Sequence, residues 1–339
     1  MKTWRSTLAL RAVALAMLAA PCVLPAKAAT CGTDARITIA EMTWLSAATM
    51  AHLADRILST GYGCNTELVP GDTVPTASSL LAKGEPMIMP ELWMGSLGEI
   101  WAKVRAKGIA FKAGDAFTDG GNEGWFIPDY VAKANPGLKS VADLPDYAHL
   151  FVEPASGAKA RLYGCPPGWA CEITNANLFK AAGLADKGFE LFSPGSGANL
   201  KASIARKVAR RQPVLAYYWG PTEVIGKYHL VKLDMGPFDQ QRFDCIASSD
   251  CREPRLTDFR KGEIAVVAVT SLERDAPAVV AFLSKMRIPN ETIQSVLAWG
   301  DDASASPREI ATHFLKTQAP LWTTWVPQDV AAKVRESLK

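Results

Sequence analysis

The chain has 339 residues, of which 37 are lysine or arginine and 34 are aspartate or glutamate. Four of the basic residues, Lys2, Arg5, Arg11 and Lys27, lie in the first 28 positions, so the rest of the chain is almost neutral. This balance gives no indication of a nucleic-acid or anionic-membrane partner. The length is sufficient for two domains, each with its own core.

The first 28 residues are typical of a secretory signal peptide. Basic residues precede the apolar stretch 12–20, and Ala26-Lys27-Ala28 matches a small-x-small cleavage site. The apolar stretch is too short to span a membrane, and no later stretch is long enough. We therefore expect export to the periplasm and a mature chain that begins near Ala29.

Strands and helices alternate in the first part of the mature chain. The sequence predicts strands at 36–42, 65–69 and 87–89 and helices at 46–60, 76–81 and 99–107. Such alternation is typical of a parallel sheet that is flanked by helices.

A second unit of the same kind follows position 120. The sequence predicts strands at 124–128, 150–152 and 214–219 and helices at 172–182 and 198–211, and residues 230–233 lead out of this unit. A buried strand at 264–269 and helices at 276–286, 290–298 and 307–318 then return to the first unit. We expect an α/β protein of two lobes, residues 29–120 with 234–339 and residues 121–233. Each lobe is predicted to hold a mostly parallel sheet, with the ligand cleft between the lobes.

Six cysteines follow the signal peptide. They are Cys31, Cys64, Cys165, Cys171, Cys245 and Cys251. An even number in an exported chain indicates disulfides, although six cysteines allow 15 connectivities. The short spacings favour bridges within 165/171 and within 245/251, which leaves Cys31 with Cys64. A zinc site is the alternative, but the four histidines are scattered, so we expect no metal.

Tryptophans lie where predicted strands end. Trp44, Trp93 and Trp219 each follow or end a strand, and Trp169 lies in the turn between Cys165 and Cys171. Ligands of α/β proteins bind at the carboxyl ends of strands, so these rings are expected to converge. Several tryptophan faces around one pocket suit a quaternary or methylated ammonium, at about 0.5–2 kcal/mol per ring. A lone tryptophan more commonly belongs to the core, but its place at a turn or strand end favours ligand contact.

Trp125, at the start of a predicted strand, is a fifth candidate for the pocket. Within that strand it could instead pack against a helix. Three tryptophans of the C-terminal part, Trp299, Trp322 and Trp325, are interpreted as packing residues.

These motifs resemble the substrate-binding proteins of ABC importers for glycine betaine, proline betaine and choline. The segment Gly164–Glu172 is similar to the family turn G-C-x-P-G-W-G-C-E, and Val214–Pro221 is similar to the family strand end Y-Y-W-x-P. Pro90–Trp93 matches the family's strand-end tryptophan. The resemblance covers essentially the whole mature chain.

The resemblance implies a two-lobed periplasmic binding protein (type II-like) that closes on its ligand. It implies that Trp44, Trp93, Trp169 and Trp219 are walls of a tryptophan box. The backbone N–H groups of Ala170 and Cys171, near a predicted helix N-terminus, are expected to hold a ligand carboxylate. The partners it implies are a methylated ammonium ligand and an inner-membrane ABC permease with ATPase subunits. We expect a monomer that is not an enzyme and uses no cofactor.

The chain departs from the family pattern at two positions. Leu97 stands where some betaine-binding relatives have a histidine, and Ser46 stands where choline-binding relatives have an aspartate. Glu41 and Glu91 lie near the same strand ends and could balance a cation, although carboxylates there are more commonly structural or solvated. The ligand therefore stays open among glycine betaine, proline betaine, choline, carnitine and trimethylamine N-oxide.

Two other functions remain alternatives. The first is a two-lobed binder of another small solute such as an amino acid, which an arginine in the cleft would favour. The second is a secreted enzyme, which paired acid and base groups in the cleft would favour.

Overall fold

The computed structural model describes residues 1, 29–153, 157 and 159–339. The predicted signal peptide, apart from Met1, lies outside the described residues. Across the described ranges, no helix has both the length and the apolar character needed to cross a bilayer.

Ten strands form two five-stranded sheets in the described part of the chain. They are β1 (Ile37–Met42), β2 (Thr66–Gly71), β3 (Ile88–Trp93), β4 (Ala110–Asp115), β5 (Asn122–Pro128), β6 (Ala160–Tyr163), β7 (Phe189–Phe192), β8 (Leu215–Gly220), β9 (Leu230–Lys232) and β10 (Ile264–Val269). The strand order is β2-β1-β3-β10-β4 in the first sheet and β7-β6-β8-β5-β9 in the second. The two sheets confirm the two-lobed α/β architecture.

Both sheets are mixed, with four strands in one direction and a single reversed strand, in agreement with the mostly parallel sheets expected from the sequence. In the first sheet, β10 runs antiparallel to β3 and β4, and in the second sheet β5 runs antiparallel to β8 and β9. The other neighbours are parallel. The reversed strands are the ones that follow a crossing between lobes, because the chain enters each sheet there from the other lobe.

Fourteen α-helices cover the sheets in the described ranges. They are α1 (Leu45–Arg56), α2 (Thr73–Lys83), α3 (Gly98–Ala106), α4 (Asp129–Ala134), α5 (Ala170–Ala181), α6 (Gly197–Ala209), α7 (Glu223–Lys227), α8 (Gln240–Ile246), α9 (Ser271–Asp275), α10 (Pro277–Leu283), α11 (Asn290–Asp302), α12 (Pro307–Thr317), α13 (Ala319–Trp322) and α14 (Gln328–Glu336). A π-helical turn, Ile57–Tyr62, extends α1.

The strand predicted at 150–152 is wrong. Leu150 and Phe151 belong to a 3₁₀ helix, Val141–Phe151, with a capping box in which Ser140 and Asp143 satisfy each other's backbone N–H groups. Val152 follows the helix and forms an isolated β-bridge with Ala160. Strands β4, β6 and β7 were not predicted from the sequence.

The three disulfides pair as predicted. Cys31 bonds to Cys64, Cys165 to Cys171, and Cys245 to Cys251. The middle bridge encloses the turn that leads into α5. No group of histidine, cysteine or carboxylate side chains among the described residues is arranged to hold a metal ion.

The segment that follows β9 packs mainly on the second lobe. Asn177 of α5 donates to the carbonyl oxygens of Ile246 and Ser248, each at 2.9 Å. The chain first crosses between the lobes just before β5 and crosses back just before β10. The two crossing segments are joined by an isolated β-bridge between Gly121 and Gly262. We therefore propose that lobe 2 extends from residue 121 to about residue 261, rather than ending at residue 233.

Candidate ligand-binding site

A pocket of about 430 Å³, counting its open mouth, lies between the two lobes. Its lining residues are Trp44, Thr73, Trp93, Gly95, Glu123, Trp169, Ala170, Cys171, Tyr217, Trp219 and Gly262. The four tryptophans expected from the strand ends and from the turn between Cys165 and Cys171 are all among them.

The four rings reach the pocket from four separate elements. Trp44 precedes α1, and Trp93 ends β3, so both come from lobe 1. Trp169 precedes α5, and Trp219 lies near the end of β8, so both come from lobe 2. Each position is a strand end or a helix start, where a side chain can point past the sheet into the cleft.

The ring of Trp169 contacts the rings of Trp44 and Trp219 edge to face. The centroid of Trp169 lies 5.4 Å from that of Trp44 and 4.9 Å from that of Trp219, with interplanar angles of 73° and 85°. This is a preferred geometry for aromatic pairs. Perpendicular rings at these distances form adjacent walls of a box rather than a stack.

The indole N–H groups of three box tryptophans are engaged away from the pocket. Trp44 and Trp93 donate to Glu91 Oε1, at 2.6 and 3.0 Å. Trp169 donates across the cleft to Thr43 Oγ1 and Asp72 Oδ1, both at 3.0 Å. None of these acceptors lines the pocket. The rings therefore meet the pocket with carbon surface, as a cation–π site requires.

Glycines make room for two of the rings. A Cβ on Gly121 would lie 2.4 Å from Trp93, and one on Gly262 would lie 3.0 Å from the same ring. A Cβ on Gly197, at the start of α6, would lie 2.8 Å from Trp169. The two crossing segments and the turn before α6 therefore need glycine where they pack against these rings.

The N-terminus of α5 opens into the pocket. Ala170 and Cys171 occupy the first two helical positions, and both line the pocket. Backbone N–H groups at these positions have no acceptor within the helix and favour a negatively polarised ligand atom. The Cys165–Cys171 disulfide and the Glu172 side chain, which accepts from Gly168 N at 3.0 Å, hold this turn.

Glu91 is a buried carboxylate behind the box. It is 1% exposed, and its Oε1 accepts from Ser46 at 3.0 Å as well as from the two indoles. Burial raises the pKa of Glu91 to about 7 from its ordinary 4.5, against the lowering effect of the three donors. Glu91 is thus the structural partner of Trp44, Trp93 and Ser46.

A second buried carboxylate, Glu123, lies in the pocket itself. It faces Trp219 across the β5–β8 ladder, and Tyr217 donates to its Oε1 at 2.6 Å. Burial raises the pKa of Glu123 to about 7, although the Tyr217 hydrogen bond and the charge of Lys232 lower it. The pocket therefore combines aromatic walls, a carboxylate and a helix N-terminus.

Other sequence candidates lie elsewhere. Trp125 does not line the pocket, because its side chain is fully buried in lobe 2 and donates to Asn175 of α5 at 2.6 Å. Glu41 lies 3.1 Å from His52, and the buried Leu97 does not line the pocket. We therefore leave Trp125 out of the binding residues.

Glu123, Tyr217 and Thr73 also line the pocket and were not predicted from the sequence. Tyr217 could have been found, because side chains two apart on a strand share a face and Trp219 was already a candidate. Glu123 has no such local signal, since only the antiparallel register of β5 with β8 brings it beside Trp219.

Comparison with known proteins agrees with this architecture. Residues 35–317 match the model of the family described as the substrate-binding domain of the ABC-type glycine betaine transport system. The chain is 26% identical over 226 residues to the glycine betaine/proline betaine-binding periplasmic protein of Escherichia coli K12, an alignment of 64% of this chain and 67% of that protein. It is 23% identical over 266 residues to the Salmonella typhimurium protein of the same name, covering 75% and 78%.

Solved structures share the fold at low sequence identity. An ABC-transporter choline-binding protein in complex with choline superposes with a TM-score of 0.69 at 17% identity, covering 91% of this chain and 99% of that one. Lactococcal OpuAC with bound glycine betaine gives 0.66 at 16% identity, covering 87% and 100%. The family match spans most of the chain and includes every element that builds the pocket. The chain therefore belongs to the family of substrate-binding domains of ABC-type glycine betaine transport systems.

Proposed function

We propose that this protein captures a methylated ammonium compound in the periplasm and delivers it to an ABC permease of the inner membrane. The observation that carries the proposal is the box of four tryptophans around one pocket between the lobes. The signal peptide predicted at 1–28 supports export. The role is binding rather than catalysis, and we expect the protein to act as a monomer.

The energetics of the box agree with a tightly held cation. Four rings at about 0.5–2 kcal/mol each supply roughly 2–8 kcal/mol, and a micromolar ligand needs about 8 kcal/mol. The cation–π contacts of the box alone therefore give micromolar affinity only if each ring contributes its maximum of about 2 kcal/mol. Glu123 and the N-terminus of α5 supply further polar contacts, and closure of the lobes removes water and strengthens them.

The alternative of an amino-acid binder lacks its expected feature. An amino-acid carboxylate is commonly held by an arginine, and no arginine is among the described residues that line this pocket. We therefore retain the methylated ammonium class.

The test is a fluorescence and calorimetric titration of the mature protein. The panel is glycine betaine, proline betaine, choline, carnitine and trimethylamine N-oxide, with glycine and histidine as unmethylated controls. We expect saturable micromolar binding for at least one methylated compound and none for the controls. A response to the amino acids alone would contradict the proposal.

Substitution of the box tests the assigned walls. The double variant Trp169→Ala with Trp219→Ala removes two rings, and we expect roughly 5-fold to 1,000-fold weaker binding, since two rings contribute about 1–4 kcal/mol. Trp299→Ala is the control, because Trp299 is 38% exposed and stacks on His313 away from the pocket. Unchanged affinity in the double variant would exclude this box.

A further inference from the structure

We propose that Glu123 is the counter-charge of the bound ammonium, and that it selects methylated ammonium ligands with a net positive charge, such as choline, over zwitterionic betaines. This inference rests on the proposed function and specifies its substrate class. It concerns a residue outside the motifs that carry the family resemblance.

The position of Glu123 places its carboxylate beside the aromatic box. Glu123 is directly opposite Trp219 in the β5–β8 ladder, so the two side chains lie on the same face of the sheet. Both line the pocket. Two residues earlier, Gly121 lies against the ring of Trp93. A cation held between Trp93 and Trp219 is therefore next to this carboxylate.

Glu123 has no cationic partner of its own. The described ion pairs do not include it, and the lysine that acts on it, Lys232, is paired with Asp258 at 2.7 Å. Among the described residues, its hydrogen-bond donor is Tyr217, which engages Oε1. The carboxylate is only 8% exposed. A buried carboxylate without a positive partner is costly, and an incoming cation removes that cost.

A zwitterionic betaine gains less from this arrangement. Its ammonium is attracted to Glu123, but its own carboxylate, confined to the same small pocket, is repelled. A hydroxyl-bearing cation has no such penalty, and its oxygen can still accept from the N–H groups of Ala170 and Cys171. Net charge, rather than the methyl groups alone, then decides between ligands.

The groups that face Glu123 determine how pH acts on the choice. They are Tyr217 on β8 and Lys232 on β9, and the buried Glu91 lies behind Trp93. Because burial raises the pKa of Glu123 to about 7, the ionised fraction rises about tenfold between pH 6 and pH 8. Choline affinity should rise with pH over this window, whereas betaine affinity should not.

The experiment compares the Kd values of choline and glycine betaine for the mature protein between pH 6 and pH 8. The ratio of the two Kd values isolates the effect of Glu123. Any effect of Glu91 on the trimethylammonium group, which both ligands carry, cancels in this ratio. We expect the wild-type preference for choline to increase about tenfold over this range. Glu123→Gln should weaken choline binding at pH 8 at least about tenfold, change betaine binding less than about threefold, and abolish the pH dependence of the ratio.

Two further variants keep the test sharp. Tyr217→Phe keeps the ring and the carboxylate but removes the hydrogen bond that lowers the pKa of Glu123. The change of the Kd ratio with pH should therefore occur at higher pH. Glu99→Gln, on the exposed face of α3, removes the same charge outside the pocket and should leave the ratio unchanged. If Glu123→Gln does not fold, the wild-type pH profile still decides.

The outcomes separate the two proposals. Betaine binding that equals or exceeds choline binding at pH 8, with a ratio that does not change with pH, would overturn the role of Glu123 and leave the methylated ammonium function intact. An unaltered ratio in Glu123→Gln would do the same. Absence of binding to every methylated compound would overturn both proposals.

Discussion

At the scale of single residues, the carboxylate of Glu91 organises two walls of the box. One oxygen accepts from Trp44, Trp93 and Ser46, and the other, Oε2, is buried with no hydrogen-bond partner among the described residues. Ser46 is thus a donor to an acid that comes from the neighbouring strand. This arrangement orients the rings at the cost of a buried acid.

The raised pKa of Glu91 predicts that the unliganded protein loses stability as pH rises. The folded-state pKa of about 7 exceeds the ordinary 4.5, so the folded chain binds more protons between these values. The contribution is fully favourable below pH 4.5 and is lost as pH rises through 7. Glu91→Gln should therefore reduce the stability difference between pH 5.5 and pH 8 by on the order of 1–2 kcal/mol.

Thermal unfolding of the unliganded protein at the two pH values measures this effect. Glu123 has a similarly raised pKa and should keep part of the pH dependence in the Glu91 variant. The exposed Glu67 on β2 provides the control, Glu67→Gln. A pH difference that Glu91→Gln leaves as large as in the wild type would contradict the prediction.

At the scale of elements, the stapled turn before α5 presents both a ring and a helix end. Gly168 adopts a φ of +85°, a conformation that favours glycine, immediately before Trp169. The bridge between Cys165 and Cys171 then fixes the first turn of the helix. The turn also crosses the cleft, since Val74 N donates to Gly168 O at 3.2 Å. This one turn therefore supplies a wall, two N–H donors and a contact between lobes.

The chain offers a matched pair of disulfides for testing this turn. Cys165–Cys171 and Cys245–Cys251 both have a sequence separation of 6, so their loop-closure contributions to stability are similar. Replacing the first pair with serine should weaken ligand binding about tenfold through lost preorganisation, while replacing the second should change it little. Titration and thermal unfolding of both variants give the comparison. Equal effects on affinity would mean that the bridge at the pocket is only structural.

At the scale of the whole molecule, ion pairs hold the two lobes together beside the pocket. Lys201 of α6 and Lys227 of α7 belong to lobe 2 and contact Asp301 of α11 in lobe 1, the latter at 2.5 Å. Lys227 also contacts Asp302 at 2.7 Å. These pairs form only when the lobes are close, so they favour the closed arrangement.

Removing the charge of Asp301, which pairs with both lysines, should favour opening of the lobes. Asp301→Asn is expected to raise the ligand Kd about threefold to tenfold, mainly through faster dissociation, because partly exposed ion pairs contribute on the order of 1 kcal/mol and closure limits escape. Stopped-flow displacement at low and high salt measures the rate, and the wild-type rate should rise toward that of the variant as salt increases. Asp129→Asn breaks a pair within lobe 2 and is the control. A dissociation rate unaffected by Asp301→Asn would contradict this role of the ion pairs.

The sequence alone determined the features that depend on local pattern. Trp44, Trp93, Trp169 and Trp219 were recognisable because each stands at a strand end or turn, and the carboxyl ends of strands face the cleft in any α/β lobe. The disulfides followed from cysteine spacing. The short strands β4, β6 and β7 were missed because four to six residues carry little periodic signal.

The tertiary structure alone decided the polar part of the site. Glu123 joins the pocket through its register with Trp219, 96 positions later, and Glu91 meets Trp44 and Ser46 through the packing of neighbouring strand ends. Trp125, which also belongs to β5, packs on Asn175 instead. Strand pairing and direction are long-range choices that no local pattern encodes. The chain's sequence thus determined which rings line the pocket, and its folding decided which carboxylates lie in it or behind it.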